Sequence, residues 1–327
     1  MESNKKPLVI VAGKVRVDGL AKLAEGATIR QWQESTPMPR ETLKEWLRDA
    51  VGLWSSKHIK VDADLLASAP NLKVVAQDSV GYDNIVISDL TAKGIPHGNT
   101  PHVLTDTVAE LAFTLLAAAS RRIVENVEFV KQGLWTKQRP IHIGRDLKGT
   151  TLGIIGLGEI GLAIAKRAQA FGMHILYHNR TRRKDDVTQN LTYCTKEELL
   201  AKSDTVLVMT PLTDATRGMI GSAEFALMKS EALFVNVGRG AVVDTSALVT
   251  ALETGQIAYA ALDVVDPEPL PKEHPLLATG KVMIVPHIGS FTNETRHEMA
   301  LLTANNLMAG IHEEPLPACV NEEVNYK

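Results

Sequence analysis

Between Thr150 and Val285, short apolar runs alternate with stretches whose apolar residues recur at helical spacing. Residues 152–155 are an apolar run too short for a helix, and they predict a buried strand. Residues 159–171 place Ile160, Ile164, Ala168 and Phe171 on one stripe, with Gly172 as a stop, and predict an amphipathic helix. Residues 174–178, 205–209, 233–237, 259–264 and 282–285 predict five more strands. Thr195-x-x-Glu198 has the form of a capping box, and Asp244 and Gly255 bracket a further helix. Six strands alternating with helices predict an α/β fold, a Rossmann-type doubly wound parallel sheet.

The first hundred residues repeat the alternation on a smaller scale, at 8–11, 52–54, 73–76 and around Ile95, without a glycine fingerprint. They predict a smaller α/β domain, flavodoxin-like, that binds no nucleotide. Residues 106–131 predict one long helix, with Thr105 or Asp106 as cap and Gly133 beyond its end, crossing from the first domain to the second. A last helix at 292–310 and a polar tail at 311–327 are expected to return to the first domain. The expected division is therefore 1–105 with 293–327, and 106–292.

Composition narrows the class without adding chemistry. A chain of 327 residues exceeds one compact core, in agreement with two domains. A net charge of −3 gives no electrostatic reason to expect nucleic acid or an anionic membrane as partner. No apolar run approaches the ~20 residues that cross a bilayer, and the polar start leads into a run too short for a signal peptide. Cys194 and Cys319 are far apart and read as free thiols in a reducing compartment, so the cytoplasm is the expected location. No Cys/His spacing or carboxylate cluster calls for a metal.

The candidate chemistry starts where the first Rossmann strand ends, at Gly156-Leu157-Gly158-Glu159-Ile160-Gly161. Gly156 allows a tight turn, Gly158 lets a pyrophosphate approach the backbone, and Gly161 lets the helix pack close to the strand. The helix N-terminus offers free N–H groups to the phosphates. At the second strand's end, where an NAD site places Asp or Glu, the chain reads His178-Asn179-Arg180-Thr181-Arg182-Arg183-Lys184, with no carboxylate before Asp185. Guanidinium groups pair with a 2′-phosphate that a carboxylate would repel. The expected cofactor is NADP(H) over NAD(H), with Arg180 and Arg182 or Arg183 on the phosphate and Asn179 and Thr181 beside it. A merely solvated basic turn is the alternative.

Three further segments fall at or just past strand ends, where ligands bind in open α/β sheets: Asn236-Val237-Gly238-Arg239-Gly240, the run from Leu262 and Asp263 to Glu268-Pro269, and Pro286-His287-Ile288-Gly289-Ser290. Singly, each has a bland reading as a turn, a rigid loop or a strand cap. Together they offer an acid–base pair and a cation at one crevice. Taken with the glycine loop and in this order, they resemble the D-isomer-specific 2-hydroxyacid dehydrogenase family over most of the chain. Ser79-Val80-Gly81-Tyr82-Asp83, Leu104-Thr105-Asp106-Thr107, Glu268-Pro269-Leu270-Pro271 and His274-Pro275-Leu276-Leu277 are similar to its glyoxylate/hydroxypyruvate reductase branch.

The resemblance implies that the smaller domain binds substrate and that Arg239, Glu268 and His287 are catalytic. His287 would donate the proton to the carbonyl oxygen, Glu268 would orient and favour the imidazolium, and Arg239 would bind the carboxylate and polarise the carbonyl. Val80 and Gly81 would hold the substrate carboxylate through backbone N–H groups. Thr107, Thr210, Pro211, Val237, Gly238, Arg239, Asp263, Gly289 and Ser290 would line the cofactor, with Asp263 on the nicotinamide carboxamide; caps and turns are the bland reading of the Thr and Ser positions. Trp135 is expected either to shape the pocket, from a partner subunit, or to pack at a dimer interface. His97, His102, His142 and His178 read as surface or turn histidines.

The implied activity is NADPH-dependent reduction of glyoxylate and hydroxypyruvate in a homodimer paired through the nucleotide domain, with no nucleic acid or membrane partner. A reductase of 2-ketogluconate or other 2-keto acids is the enzymatic alternative. Formate dehydrogenases carry Gln where Glu268 stands, and phosphoglycerate dehydrogenases an acidic NAD-type position. From another class, a dinucleotide-regulated corepressor keeps the same Arg, Glu and His; the basic turn and the lack of long disordered tails argue against it.

Overall fold

A computed structural model describes residues 6–137 and 140–326. The chain divides into two compact units, one running up to Leu104 and resuming at Ser290, the other spanning Thr105–Gly289.

In the first unit, β1 (Leu8–Val11), α1 (Val17–Ala24), β2 (Thr28–Gln31), α2 (Arg40–Leu47), β3 (Gly52–Ser55), α3 (Ala63–Ala67), β4 (Val74–Gln77), α4 (Ile87–Ala92) and β5 (His97–Gly98) build a parallel sheet in the order β2-β1-β3-β4-β5. This is the flavodoxin-like arrangement. Successive residues of a strand face opposite sides, so one run feeds two cores. Ile10, Leu53 and Val75 pack with Leu43, Leu47 and Leu66 on one side. Val9, Val11, Trp54 and Val74 pack with Leu23 and the chain's last helix on the other. The edge strand β2 has no apolar run; its residues alternate between exposed and half-buried, which is why the sequence does not announce it. His97 departs from its reading as a surface or turn residue: it is a fully buried strand residue, disguised by its neighbours Pro96 and Gly98.

The second unit holds α5 (Thr105–Ser120), α6 (Ile123–Lys131), β6 (Thr151–Ile155), α7 (Glu159–Ala170), β7 (His174–His178), β8 (Thr192–Tyr193), α8 (Lys196–Lys202), β9 (Thr205–Val208), α9 (Ser222–Leu227), β10 (Leu233–Asn236), α10 (Thr245–Glu253), β11 (Tyr259–Leu262), α11 (Pro275–Ala278) and β12 (Val282–Ile284). The last helix, α12 (Asn293–Ile311), belongs to the first unit. The sheet order is β12-β11-β10-β9-β6-β7-β8, all parallel, the Rossmann order with one extra edge strand.

Two expectations change here. The six-stranded sheet has a seventh member, β8, whose two residues are too few to show a period. The single helix over 106–131 is two helices. Arg122 takes a left-handed conformation, φ 52°, between them, where its Nε meets Glu125 at 2.6 Å and its guanidinium lies 5.0 Å from the Tyr259 ring centroid. An Arg in that conformation carries no sequence signal of the kind Gly or Pro gives.

Candidate active site

The strand order reverses between β6 and β9, so the turns that follow these strands flank the switch point where open α/β sheets bind ligands. Gly156 follows β6 with φ 97°, and a Cβ on it would stand 2.7 Å from the Met209 carbonyl oxygen, so only glycine fits. A Cβ on Gly161 would meet the Gly156 carbonyl oxygen at 2.7 Å, which fixes how closely α7 packs against β6. Gly158 differs from both: no protein atom lies within 4 Å of where its Cβ would be. Packing therefore does not demand glycine at 158, whereas close approach of a ligand does. No side chain caps α7 at Gly158, and the half-buried Thr210 after β9 has a buried hydroxyl without a partner among the described residues. Uncapped N–H groups, an open glycine and an orphaned hydroxyl fit a dinucleotide phosphate.

Asn179, at the end of β7, clamps this loop. Its Oδ1 accepts from the Leu157 N–H at 2.6 Å and its Nδ2 donates to the Leu157 carbonyl at 3.2 Å. Beyond it, the basic turn is internally organised. Arg182 pairs with Asp186 at 2.6 Å, and Asp186 also accepts from the buried Tyr177 hydroxyl at 3.0 Å. Arg183 grips Asp185 through Nε and Nη2, both at 2.8 Å, and points Nη1 at the Leu157 carbonyl, 3.4 Å away. The guanidinium partners hold both carboxyls below their usual range. Arg180 and Thr181 are exposed, and Arg180 has no side-chain partner among the described residues.

The charged residues after β10, β11 and β12 come from three adjacent strands. After β10, Asn236 ties down the turn, accepting from the Gly238 N–H at 3.1 Å and donating to the Arg239 carbonyl at 3.0 Å. A Cβ on Gly240 would fall 2.0 Å from the Val265 carbonyl oxygen, and one on Gly238 3.0 Å from that of Thr210. Close backbone approach thus requires glycine at 240 and favours it at 238, and Arg239 stands half-buried between them, its Nη1 donating to the Gly238 carbonyl at 3.0 Å. His287 Nδ1 and Glu268 Oε1 are 2.8 Å apart, both side chains about a third exposed. His287 Nε2 has no partner among the described residues.

His287 has φ 54°, an uncommon backbone state for a residue with a Cβ. Asp263, at the end of β11, holds it there. The Asp263 carbonyl accepts from the His287 N–H at 2.9 Å, and its carboxylate oxygens accept from the N–H groups of Ile288 at 2.6 Å and Gly289 at 3.0 Å. Burial pushes this carboxyl up against the pull of the two N–H groups. The oxygens that the resemblance assigns to the nicotinamide carboxamide thus also hold the histidine loop.

In the first unit, Val80 and Gly81 follow β4 in an irregular loop. Three successive carbonyls of the loop are bonded from behind: Ser79 O by the Thr100 N–H at 3.0 Å, Val80 O by Asn99 Nδ2 at 3.1 Å, and Gly81 O by Ser79 Oγ at 2.6 Å and Gln77 Nε2 at 3.1 Å. The N–H groups of Val80, Gly81 and Tyr82 have no acceptor among the described residues.

Of the remaining expected residues, Ile160 is half-buried on the first turn of α7, whose Glu159 accepts from Thr105 Oγ1 at 2.8 Å. Thr107 is half-buried on the first turn of α5, Val237 is buried after β10 and Pro211 is exposed. Ser290 opens the first unit's returning segment. Trp135 is 73% exposed after α6. Asn99, Gln77 and Asn236 are loop supports that no motif marks, because an amide that holds a carbonyl leaves no local pattern in the sequence.

The family model of the D-isomer specific 2-hydroxyacid dehydrogenase NAD binding domain matches residues 113–289. The chain is 44% identical to a glyoxylate reductase of Aeropyrum pernix, over 98% of this chain and 97% of that one. It is 42% identical to the human glyoxylate reductase/hydroxypyruvate reductase, over 95% and 96%. Among solved structures, the NADPH-dependent glyoxylate/hydroxypyruvate reductase of Sinorhizobium meliloti in complex with NADP and malonate superposes with a TM-score of 0.89 at 34% identity, over 99% of each chain. With its two parallel sheets and glycine loop, the chain belongs to the D-isomer-specific 2-hydroxyacid dehydrogenase family.

Proposed function

We propose that this protein is an NADPH-preferring reductase that takes glyoxylate to glycolate and hydroxypyruvate to D-glycerate. The observation that carries the reading is the 2.8 Å contact between His287 Nδ1 and Glu268, which engages Nδ1–H on the carboxylate and leaves Nε2 as the end of the ring that exchanges a proton with substrate. A reduced nicotinamide dinucleotide, when bound on the Gly156–Gly161 loop, supplies the hydride. As charge gathers on the carbonyl oxygen, His287 delivers a proton to it from Nε2, and Glu268 orients the ring through its contact with Nδ1. Arg239, a fixed cation, polarises the same carbonyl and pairs with the substrate carboxylate. In the first unit, the N–H groups of Val80 and Gly81 are donors of the kind that takes a substrate carboxylate.

The NADPH preference rests on Arg180, the one arginine of the turn without a carboxylate partner among the described residues. Arg183 already bridges Asp185 and the glycine loop, and Arg182 is tied to Asp186, so Arg180 is the first reader of a 2′-phosphate. Homodimer formation is supported by α6, whose Ile123, Val124, Val127 and Val130 form an exposed apolar face. Ile141, Ile143 and Trp135 in the following loop are exposed too.

Initial rates with NADPH and NADH on glyoxylate, hydroxypyruvate, pyruvate and 2-ketogluconate test the reading. Fast NADPH oxidation with the first two supports it. Preference for 2-ketogluconate keeps the chemistry and revises the pocket. Tight dinucleotide binding without turnover on any acid would favour the corepressor-like alternative.

A further inference from the structure

We propose that Asn99 is a positioning residue for carboxylate recognition, acting through the Val80 carbonyl; this rests on the reading that the N–H groups at Val80 and Gly81 take the substrate carboxylate. A trans peptide points its C=O and the following N–H in opposite directions. Tying Ser79 O, Val80 O and Gly81 O from behind therefore turns the N–H groups of Val80, Gly81 and Tyr82 the other way. Three consecutive N–H donors without a protein acceptor make an anion-binding concavity.

The three tethers are not equivalent. Gly81 O has two side-chain donors, and Ser79 O is held by the backbone N–H of Thr100, which truncating a side chain leaves in place. Val80 O depends on Asn99 alone. That peptide carries the Gly81 N–H, so loss of the Asn99 amide frees the central donor to rotate.

Asn99 is itself anchored. Its carbonyl accepts from Nδ2 of the fully buried Asn306 on α12, at 3.0 Å, and Asn306 Oδ1 accepts from the Ala318 N–H at 2.9 Å. With a donor and an acceptor both engaged, the Asn306 amide has one orientation. A Cβ on Gly98 would stand 2.6 Å from the Asn306 side chain, so the segment leading to Asn99 runs hard against that residue. The path runs from α12 through Asn306, the Asn99 backbone and the Asn99 side chain to the loop, all within the first unit.

The test compares glyoxylate with its uncharged methyl ester in wild type and Asn99→Ala. Loss of one hydrogen bond that orients a donor should lower kcat/KM for glyoxylate about 10-fold, mostly through KM, and leave the ester within about 2-fold. Oxalate should inhibit the variant correspondingly less, and the NADPH KM should not move. Ser79→Ala, which leaves Gly81 O its Gln77 donor, keeps the test open if Asn99→Ala does not fold; it should shift the acid/ester ratio in the same direction by a smaller factor. Equal losses on acid and ester, or an unchanged ratio in a folded variant, would overturn the positioning role. A wild-type enzyme that reduces acid and ester equally well would overturn the carboxylate reading beneath it.

Discussion

At the carboxyl ends of the second unit's strands the proposed chemistry lies in charged side chains, Arg239, Glu268 and His287, each oriented by a neighbour. At the corresponding ends of the first unit it lies in the backbone, in the N–H groups of Val80, Gly81 and Tyr82, turned outward by amides and hydroxyls behind them. Both sheets are parallel and both put a turn after a buried strand. A reaction that moves charge needs groups that gain or lose a proton, and side chains supply those. Recognition of a fixed carboxylate needs donors that do not titrate, and peptides supply those. One consequence is that substitutions at His287 and Glu268 should strike turnover, while those behind the Val80–Tyr82 loop should strike recognition.

The largest expected effect sharpens that contrast. His287→Ala removes the proposed proton donor and should lower kcat by about 1,000-fold while dinucleotide affinity, followed by fluorescence titration, stays near wild type. Near-normal turnover in this variant would remove the distinction between the two units along with the mechanism. Next in size is Arg180→Asp. Exchanging a phosphate partner for a carboxylate should raise the NADPH KM by about 30-fold and leave the NADH KM within about 2-fold. Equal responses of the two cofactors would return the basic turn to its reading as a solvated surface.

Gly158→Ala separates packing from binding inside the glycine loop. Gly158 has φ −83° and nothing near its Cβ position, so the variant should melt within about 1 °C of wild type. Its dinucleotide KM should still rise about 10-fold, because the added methyl group occupies the phosphate's approach. A drop in melting temperature with unchanged KM would show that 158 is a packing glycine like 156 and 161.

This contrast also explains what could be read in advance. The Rossmann sheet was legible because buried parallel strands are continuous apolar runs, and 152–155, 205–209 and 233–237 all became buried strands. Arg239, Glu268 and His287 were legible as candidates because their segments carry glycines and prolines at strand ends. The supports were not: Asn99 acts through a carbonyl on a different loop, and the Arg182–Asp186 and Arg183–Asp185 pairs that leave Arg180 alone depend on the turn's three-dimensional path. Edge strands β2 and β8 and the break at Arg122 were missed because edge position, brevity and a left-handed Arg leave no period.

The smallest effect concerns His97, which lies in the first unit with its ring edge-on to Tyr82, centroids 6.0 Å apart. It is 0% exposed and neither ring nitrogen has a partner among the described residues. Burial penalises the charged form and, against a smaller opposing pull from the Val75 backbone, lowers its pKa from 6.5 to about 4. The unfolded chain therefore takes up a proton below pH 6.5 that the folded unit refuses, and stability falls with pH from there toward about 4. Between about pH 7 and pH 5.5 the loss should be about 1 kcal/mol, a few degrees in melting temperature. Asp62 and Asp64, held low by hydrogen bonds and ion pairs, keep their contribution through this window, because it is lost only below the ordinary carboxylate range. His97→Leu removes the titrating ring and should flatten the melting profile over these pH values while leaving the acid/ester ratio of the enzyme intact. If wild type and variant lose stability in parallel, His97 takes up its proton in the folded protein as readily as in the unfolded chain, and its ring is more open to water than its 0% exposure implies.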